Sequence, residues 1–455
     1  MNSLQPKLEE AFSPQVLRQL WDAKIATSRT RGRDGLSAPR ISPDRVDNLV
    51  ESSSERFLAG DYVFRPYRQI LRSKGARKIP RVLSIPGVED RLILLGLSRY
   101  LRQWFAWIDS PRPQPLVIRV REALHGGSYT DFVRLDVENF YGSISHSSLL
   151  PRIEESGLPP IVVEAVMRAI KTPTLAGGEK PDDATDFDSG VPVGTSLANV
   201  LGEIALGEVD AIARAQESWA YFRYVDDILV LTKHGERGRS RDLIVDKLSA
   251  MGLKAHPKKS LGKSASGKLS QTSFEYLGYT FDPSSVSVSR DRRTRLTDHL
   301  ARYVTALQRG LADGSADPVA LRQKCEWWLS LRITGCYSKQ SRRGWLAYYS
   351  QIDDLQVLHE LDGVVRSLLR RLPPEHRFAP KSFVKAWTLL RTPSRDIAGY
   401  IPDFDQVWSE EAMRDALRRS GQHGSSLAGA ELRSAFDRLI AGAVKDLEHD
   451  VWALS

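Results

Sequence analysis

Cysteine is nearly missing. Among 455 residues only Cys325 and Cys336 occur, too few for a disulfide framework or a four-cysteine zinc site. A reducing, cytoplasmic setting is expected. No stretch approaches the roughly 18 apolar residues that a membrane-crossing helix needs. The opening MNSLQPKLEEAF lacks the basic-then-apolar pattern of a secretion signal, so a membrane or secreted protein is not expected. No fixed-period repeat is visible. With 41% hydrophobic and 27% charged residues, wholesale disorder is also disfavoured. At roughly 150 residues per domain, the length suggests about three domains or lobes. Lys plus Arg total 65 against 56 Asp plus Glu, a net charge of +9. That excess favours a polyanionic partner over an acidic substrate.

Acidic residues vanish between Arg65 and Arg81, where Arg65, Arg68, Arg72, Lys74, Arg77, Lys78 and Arg81 accumulate beside Tyr62, Phe64 and Tyr67. Two readings fit: a solvated charged face, or a twisted hairpin presenting cations to phosphate. Helical spacing of apolar residues predicts helices around Leu17–Ile25, over 43–59, over 91–106, over 158–171 and from Leu197 onward. The loop 171–190, with Asp182, Asp183, Asp186 and Asp188, reads as a solvated acidic connection. Beyond Arg290 the pattern is helical to the end.

The chemistry concentrates in three places. Tyr224-Val225-Asp226-Asp227 sets two carboxylates between apolar runs, AYFR and ILVL, the pattern of a hairpin with aspartates at its turn. Buried anions are costly without a compensating cation, and oxygen ligands of this kind suit Mg²⁺. Asp136 ends the β-type run Val133–Val137. It is either a helix cap or a strand-borne ligand able to meet Asp226, with two metals about 4 Å apart shared between them. Gly190-Val191-Pro192-Val193-Gly194-Thr195-Ser196 is a close-approach turn against which a nucleotide could stack; alternatively it simply opens a helix, with Thr195 or Ser196 as cap.

Taken in order, these segments resemble the reverse transcriptases over most of residues 30–300. Arg81-Val82-Leu83-Ser84-Ile85-Pro86 with Asp90-Arg91 is similar to the fingers motif, and Asp136–Ile144 to the first palm motif. The 190–199 segment resembles the second palm motif and Tyr224–Asp227 the third. Met251-Gly252-Leu253-Lys254 with Lys258 and Lys259 resembles the fourth, and Phe274–Tyr279 the primer-grip strands. The resemblance implies an α+β right-hand polymerase with an antiparallel palm sheet and a helical C-terminal region. Its expected parts are an N-terminal helical extension (1–60), fingers and palm (61–287), a helical thumb (288–370) and a C-terminal helical region (371–455).

Further implications attach residue by residue. Asp136, Asp226, Asp227 and the Val137 carbonyl would bind two Mg²⁺ ions. Lys74, Arg81, Tyr141, Pro192 and Gly194 would hold the dNTP, with Tyr141 as a gate against the ribose 2′-OH; a core aromatic is the plain alternative for Tyr141. Lys258, Lys259, Arg292, Arg293, Arg342 and Arg343 would contact nucleic acid, although surface solvation accounts for any one of them equally well. Val193 stands where many members carry Gln, so that side-chain amide cannot be carried over. This form, the Asp-x-x-x-Phe-Tyr-x-Ser-Ile pattern, and the segments Arg332–Gly335 and Gly344–Ser350 resemble the bacterial abortive-infection and defence-associated group. The expectation is RNA-directed DNA synthesis in anti-phage defence, templated by an associated non-coding RNA. Template-independent or protein-primed synthesis, with Tyr337, Tyr348 or Tyr349 as primer, is the alternative; an inactive nucleic-acid-binding scaffold is a third reading. A second operon-encoded protein and a homo-oligomer are left open as partners.

Overall fold

The computed structural model describes residues 5–73, 79–108, 112–180, 187–257, 263–314, 316–392, 399–424 and 426–452. The chain divides into two compact units: 1–112 with 126–266, and 113–125 with 267–455. The division falls at 266/267 rather than near 287, and residues 288–455 lie in one unit.

In the first unit, strands β1 (Tyr67–Arg72) and β2 (Arg81–Ile85) pair antiparallel, with Arg72 opposite Arg81. The short β4 (Thr174–Leu175) joins β1 in parallel. The cation-rich segment thus forms two paired strands on either side of residues 74–78, which lie outside the described residues. Helices Pro43–Leu58 and Val88–Trp104 supply Val46, Val50, Phe57, Leu92, Ile93 and Leu97 to the same core. Ser13 caps the Pro14–Leu20 helix by accepting from the Val16 amide, an ordinary serine N-cap.

A four-stranded sheet in the order β5-β6-β3-β7 positions the site. Its strands are β3 (Asp131–Asp136), β5 (Trp219–Tyr224), β6 (Asp227–Thr232) and β7 (Ala265–Lys268), the chain passing between units within β7. Antiparallel sheets usually alternate apolar and polar side chains. Here Ile228, Leu229, Val230 and Leu231 are all fully buried, because β6 lies between neighbours and helices cover the sheet. Helix Leu197–Arg214 packs on β5, and helix Arg237–Ala250 on β3 and β6.

The second unit opens with an antiparallel meander, β8 (Phe274–Tyr276), β9 (Tyr279–Phe281) and β10 (Val286–Val288). Long helices follow, among them Arg290–Asp313, Pro318–Thr334 and Gln356–Arg370. One departure from continuous helix is a hairpin of β11 (Cys336–Ser338) and β12 (Ser341–Arg343). Its turn residues Lys339 and Gln340 both have positive φ, 52° and 56°, the sign pattern of a type I′ hairpin turn. The Asp405 carboxylate accepts from both of their amides, at 2.6 and 2.7 Å. The expected α+β class, with antiparallel sheets and a helical C-terminal region, is the one observed.

Candidate active site

Strand β3 ends at Asp136, which sits directly opposite Asp227 in the β3/β6 register. Antiparallel partners of this kind have Cα atoms about 5 Å apart. Residues 91 positions apart in sequence are therefore neighbours at one end of the sheet. The connection between β5 and β6 is two residues, Val225 and Asp226, because Tyr224 pairs with Asp227. The segment following β3 is pinned as well: the His256 amide donates to Asp136 O (2.9 Å), and the Glu138 amide to Lys254 O (2.7 Å).

Each carboxylate meets a different environment. Arg134, two residues before Asp136 and on the same face of β3, clamps Asp227 through Nε (2.8 Å) and Nη2 (2.9 Å). Lys263 Nζ donates to Asp136 Oδ2 at 2.8 Å. His256 Nε2 lies 3.3 Å from that same oxygen, and its Nδ1 lies 3.4 Å from Glu138 Oε1. Asp226 has no ion pair of its own among the described residues. Burial, then the charges of Asp136 and Asp227, push its carboxyl up to about 6. Burial also raises Asp227, against the opposing pull of Arg134.

Among the described residues no three His, Cys, Asp or Glu side chains form a ready-made ion cage, and the Asp227 carboxylate is turned to Arg134. The donor set on offer is Asp136, Asp226 and backbone carbonyl. That matches Mg²⁺, which takes one or two carboxylates and completes its shell with water and substrate phosphates. The ammonium group drawn to Asp136, and the repulsion felt by Asp226, show where positive charge is stabilised.

The nucleotide-side residues gather around the same point. Tyr141 follows Asp136 by five residues, and its hydroxyl donates to Asn199 Oδ1 at 2.8 Å. Burial and then the Asp226 charge raise its phenol well above the ordinary value, with Arg81 opposing. Its ring lies against Gly202, where an added Cβ would come within 3.2 Å of Tyr141 Cε1 and 3.0 Å of Phe140 Cε1. The Val191 amide donates to Tyr141 O (2.8 Å), and the Ser84 amide to Val193 O (2.7 Å). Pro192 and Gly194 therefore bridge β2 and the Tyr141 segment. Gly194 has φ +104° and comes so close to the Ser84 carbonyl that a Cβ would lie 3.0 Å from it. Neither expected cap closes the following helix: Thr195 Oγ1 donates back to Pro192 O, and Ser196 makes no side-chain cap bond.

Behind the Val225–Asp226 turn lies a buried network that the sequence reading did not pick out. Arg223, Glu203 and Asp210 are each at most 8% exposed. Arg223 Nε and Nη2 donate to Asp210 (2.6 and 2.5 Å), Nη1 and Nη2 to Glu203 (3.3 and 2.6 Å), and Nη1 to Val225 O (2.9 Å). Tyr221 Oη also donates to Asp210 (2.7 Å). Glu203 and Asp210 stand seven residues apart on a largely apolar helix, two turns along one face. That spacing was the readable signal.

Other candidates lie elsewhere. Lys74, Lys258 and Lys259 are outside the described residues. Arg292 is only 8% exposed, beside Gly278 and Tyr349; Arg293 lies 3.4 Å from Glu360. Arg342 donates to Leu390 O and stacks over Tyr337. Arg343 pairs with Glu448 at 2.6 Å. All four belong to the second unit, and Arg342 and Arg343 sit on β12 rather than on a helix. Tyr337, Tyr348 and Tyr349 are buried in that unit's core, so none of these three hydroxyls is presented as a primer.

No curated protein matches the chain in sequence. Similar solved structures include apo telomerase from Candida tropicalis truncated from the C-terminal domain, at 13% identity and TM-score 0.38, covering 50% of this chain and 55% of that one. Telomerase from Candida albicans in complex with a TWJ fragment of telomeric RNA aligns at 11% identity and TM-score 0.42, covering 89% of this chain and 68% of that one. Residues 73–281 match the family model described as reverse transcriptase (RNA-dependent DNA polymerase), and that segment is a reverse transcriptase domain, the nucleotidyltransferase module of RNA-directed DNA polymerases.

Proposed function

We propose that the chain is an RNA-directed DNA polymerase that transfers nucleotides from dNTPs with two Mg²⁺ ions. The observation that carries this reading is the meeting of Asp136, Asp226 and Asp227 at one sheet end. Asp136, Asp226 and the Val137 carbonyl would hold the ions, with Asp227 close by in the grip of Arg134. Bound Mg²⁺ would supply the positive charge that activates the primer hydroxyl and neutralises the phosphates. Arg81, with Lys74, binds the triphosphate and stabilises charge building on it. Tyr141, steadied by Asn199, closes the space a 2′-OH would occupy. Pro192 and Gly194 present backbone to base and ribose. The first unit carries fingers and palm; the helices after β10 serve as thumb and C-terminal region, with Arg293 near duplex phosphates, while Arg292 is turned into that unit's interior.

The template is an associated non-coding RNA and the biological setting bacterial anti-phage defence in the cytoplasm; the sequence form of the first two palm motifs supports this. Primer extension by the purified full chain with an RNA template, dNTPs and Mg²⁺ tests the reading. Synthesis lost on Asp226→Ala is expected. No synthesis by the wild type with its co-purifying RNA, or unaltered synthesis by the variant, would overturn it. A homopolymer product in place of the template complement would point to untemplated synthesis instead.

A further inference from the structure

We propose that Arg223 is a positioning residue for Asp226: a buried guanidinium that holds the Val225–Asp226 turn in a backbone shape it would not otherwise keep. The inference rests on the polymerase reading of the Asp136–Asp226 site.

Val225 has φ +56°, in the left-handed region, where a β-branched residue is a genuine outlier. Asp226 does not share the positive φ, so the two-residue loop has the sign pattern of a type II′ hairpin turn, whose first place ordinarily takes Gly. A strained residue of this kind persists only when its surroundings over-determine it. Val225 packs against the core of the first unit, and its carbonyl is held by one side chain. Arg223 is two residues before Val225 and donates to its carbonyl from Nη1 at 2.9 Å. A guanidinium has five N–H groups in a fixed planar fork. The other four go to Asp210 and Glu203, both on helix Leu197–Arg214. The fork therefore ties the turn carbonyl to a helix that packs on β5. The Arg214 guanidinium stands 3.8 Å from Asp210 and adds a second positive charge to the cluster. Lysine, with three donors and no plane, cannot reproduce the fork.

Arg223 touches neither substrate nor the carboxylates opposite Asp136; it acts through the Val225 carbonyl. Releasing it lets Val225 relax toward negative φ and swings Asp226 away from Asp136. A displacement of about 1 Å at a reacting centre costs on the order of 10²-fold in rate.

The test is a double-mutant cycle in the full chain, combining Arg223→Lys with Val225→Gly, since glycine takes the left-handed shape without help. Two quantities are read: kcat and KM for dNTP in primer extension, and affinity for Mn²⁺ alone, by electron paramagnetic resonance without nucleotide. Arg223→Lys should lower kcat about 10²-fold with KM for dNTP changed less than about threefold, and weaken Mn²⁺ about 10-fold. In the Val225→Gly background the same substitution should cost no more than about fivefold in kcat and leave Mn²⁺ affinity close to that of Val225→Gly alone. Equal losses in both backgrounds would overturn the proposal, because a merely structural role for the ion network is not rescued by a glycine two residues away. A loss carried by KM would overturn it too. Should Arg223→Lys not fold, Glu203→Gln, which leaves the bond to the Val225 carbonyl, should change kcat and Mn²⁺ affinity by less than about threefold in either background, and a large loss from it that Val225→Gly does not rescue would overturn the proposal. If the wild type makes no DNA, the polymerase reading fails while the Mn²⁺ arm still decides whether Arg223 places Asp226.

Discussion

Asp226 has no ion pair among the described residues and is raised by burial and by its two neighbouring acids, so replacing it with asparagine should make the protein more stable while abolishing synthesis. Lifting a carboxyl from 3.8 to about 6 corresponds to about 3 kcal/mol against the ionised form. The side chain is partly exposed, so solvent screening reduces this to about 1–2 kcal/mol. Between those two values the folded chain binds more protons than the unfolded one, so stability falls as pH rises through the window from about 4 to 6. Above it the full cost is present; below it both states are protonated and the cost disappears. Asp226→Asn removes the cost at pH 8 without changing side-chain size. In chelator at pH 8 the variant should melt a few degrees above wild type, at about 2–4 °C per kcal/mol for a unit of this size. The difference should close as pH approaches 4. Saturating Mg²⁺ should narrow it at pH 8, because an ion that binds only the folded wild-type site stabilises it by mass action. A variant no more stable than wild type in chelator at pH 8, or a difference unchanged at pH 4, would refute the reasoning.

Three other expectations follow from the same geometry. Arg134→Met strips Asp227 of its bidentate clamp in a buried place and should destabilise the first unit by about 3–5 kcal/mol, read by urea denaturation. Lys263→Met removes a cation that competes for Asp136, so half-maximal synthesis should need severalfold less Mg²⁺, read by metal titration of primer extension. Tyr141→Ala should lower the preference for dNTP over NTP by about 10- to 100-fold in kcat/KM if its ring is the gate proposed above.

What the sequence made legible was whatever chemistry lies within a few residues. Tyr224-Val225-Asp226-Asp227 between apolar runs reads directly as a hairpin with acids at its turn, and Asp136 at the end of a β-type run needs only alternation to be placed. Pairing β3 against β6, with Asp136 opposite Asp227, is non-local; it came from a resemblance and not from spacing. Arg134 escaped notice although it shares a strand face with Asp136, because its partner arrives from the neighbouring strand. The β11–β12 hairpin was illegible for a clearer reason. Its turn, Lys339-Gln340, contains no glycine and is held by a carboxylate 65 residues away, so local propensity pointed elsewhere.

The pattern of charges around the turn has a physical consequence of its own. Asp227 is matched by Arg134, Asp136 by Lys263, and Glu203 and Asp210 by Arg223. Asp226 has no matching cation among the described residues and is carried on the one strained turn of the sheet. Two destabilising features, an uncompensated anion and a left-handed valine costing about 1–3 kcal/mol, thus fall on adjacent residues. On the polymerase reading this coincidence is expected. A carboxylate already paired with a protein cation would have to exchange that cation for the incoming ion, as Asp136 must exchange Lys263. A relaxed turn would lower the cost only by moving that carboxylate off its target. The surrounding ion pairs tie β3 to β6 and β5 to helix Leu197–Arg214, and on the polymerase reading that linkage holds the site in shape before substrate arrives.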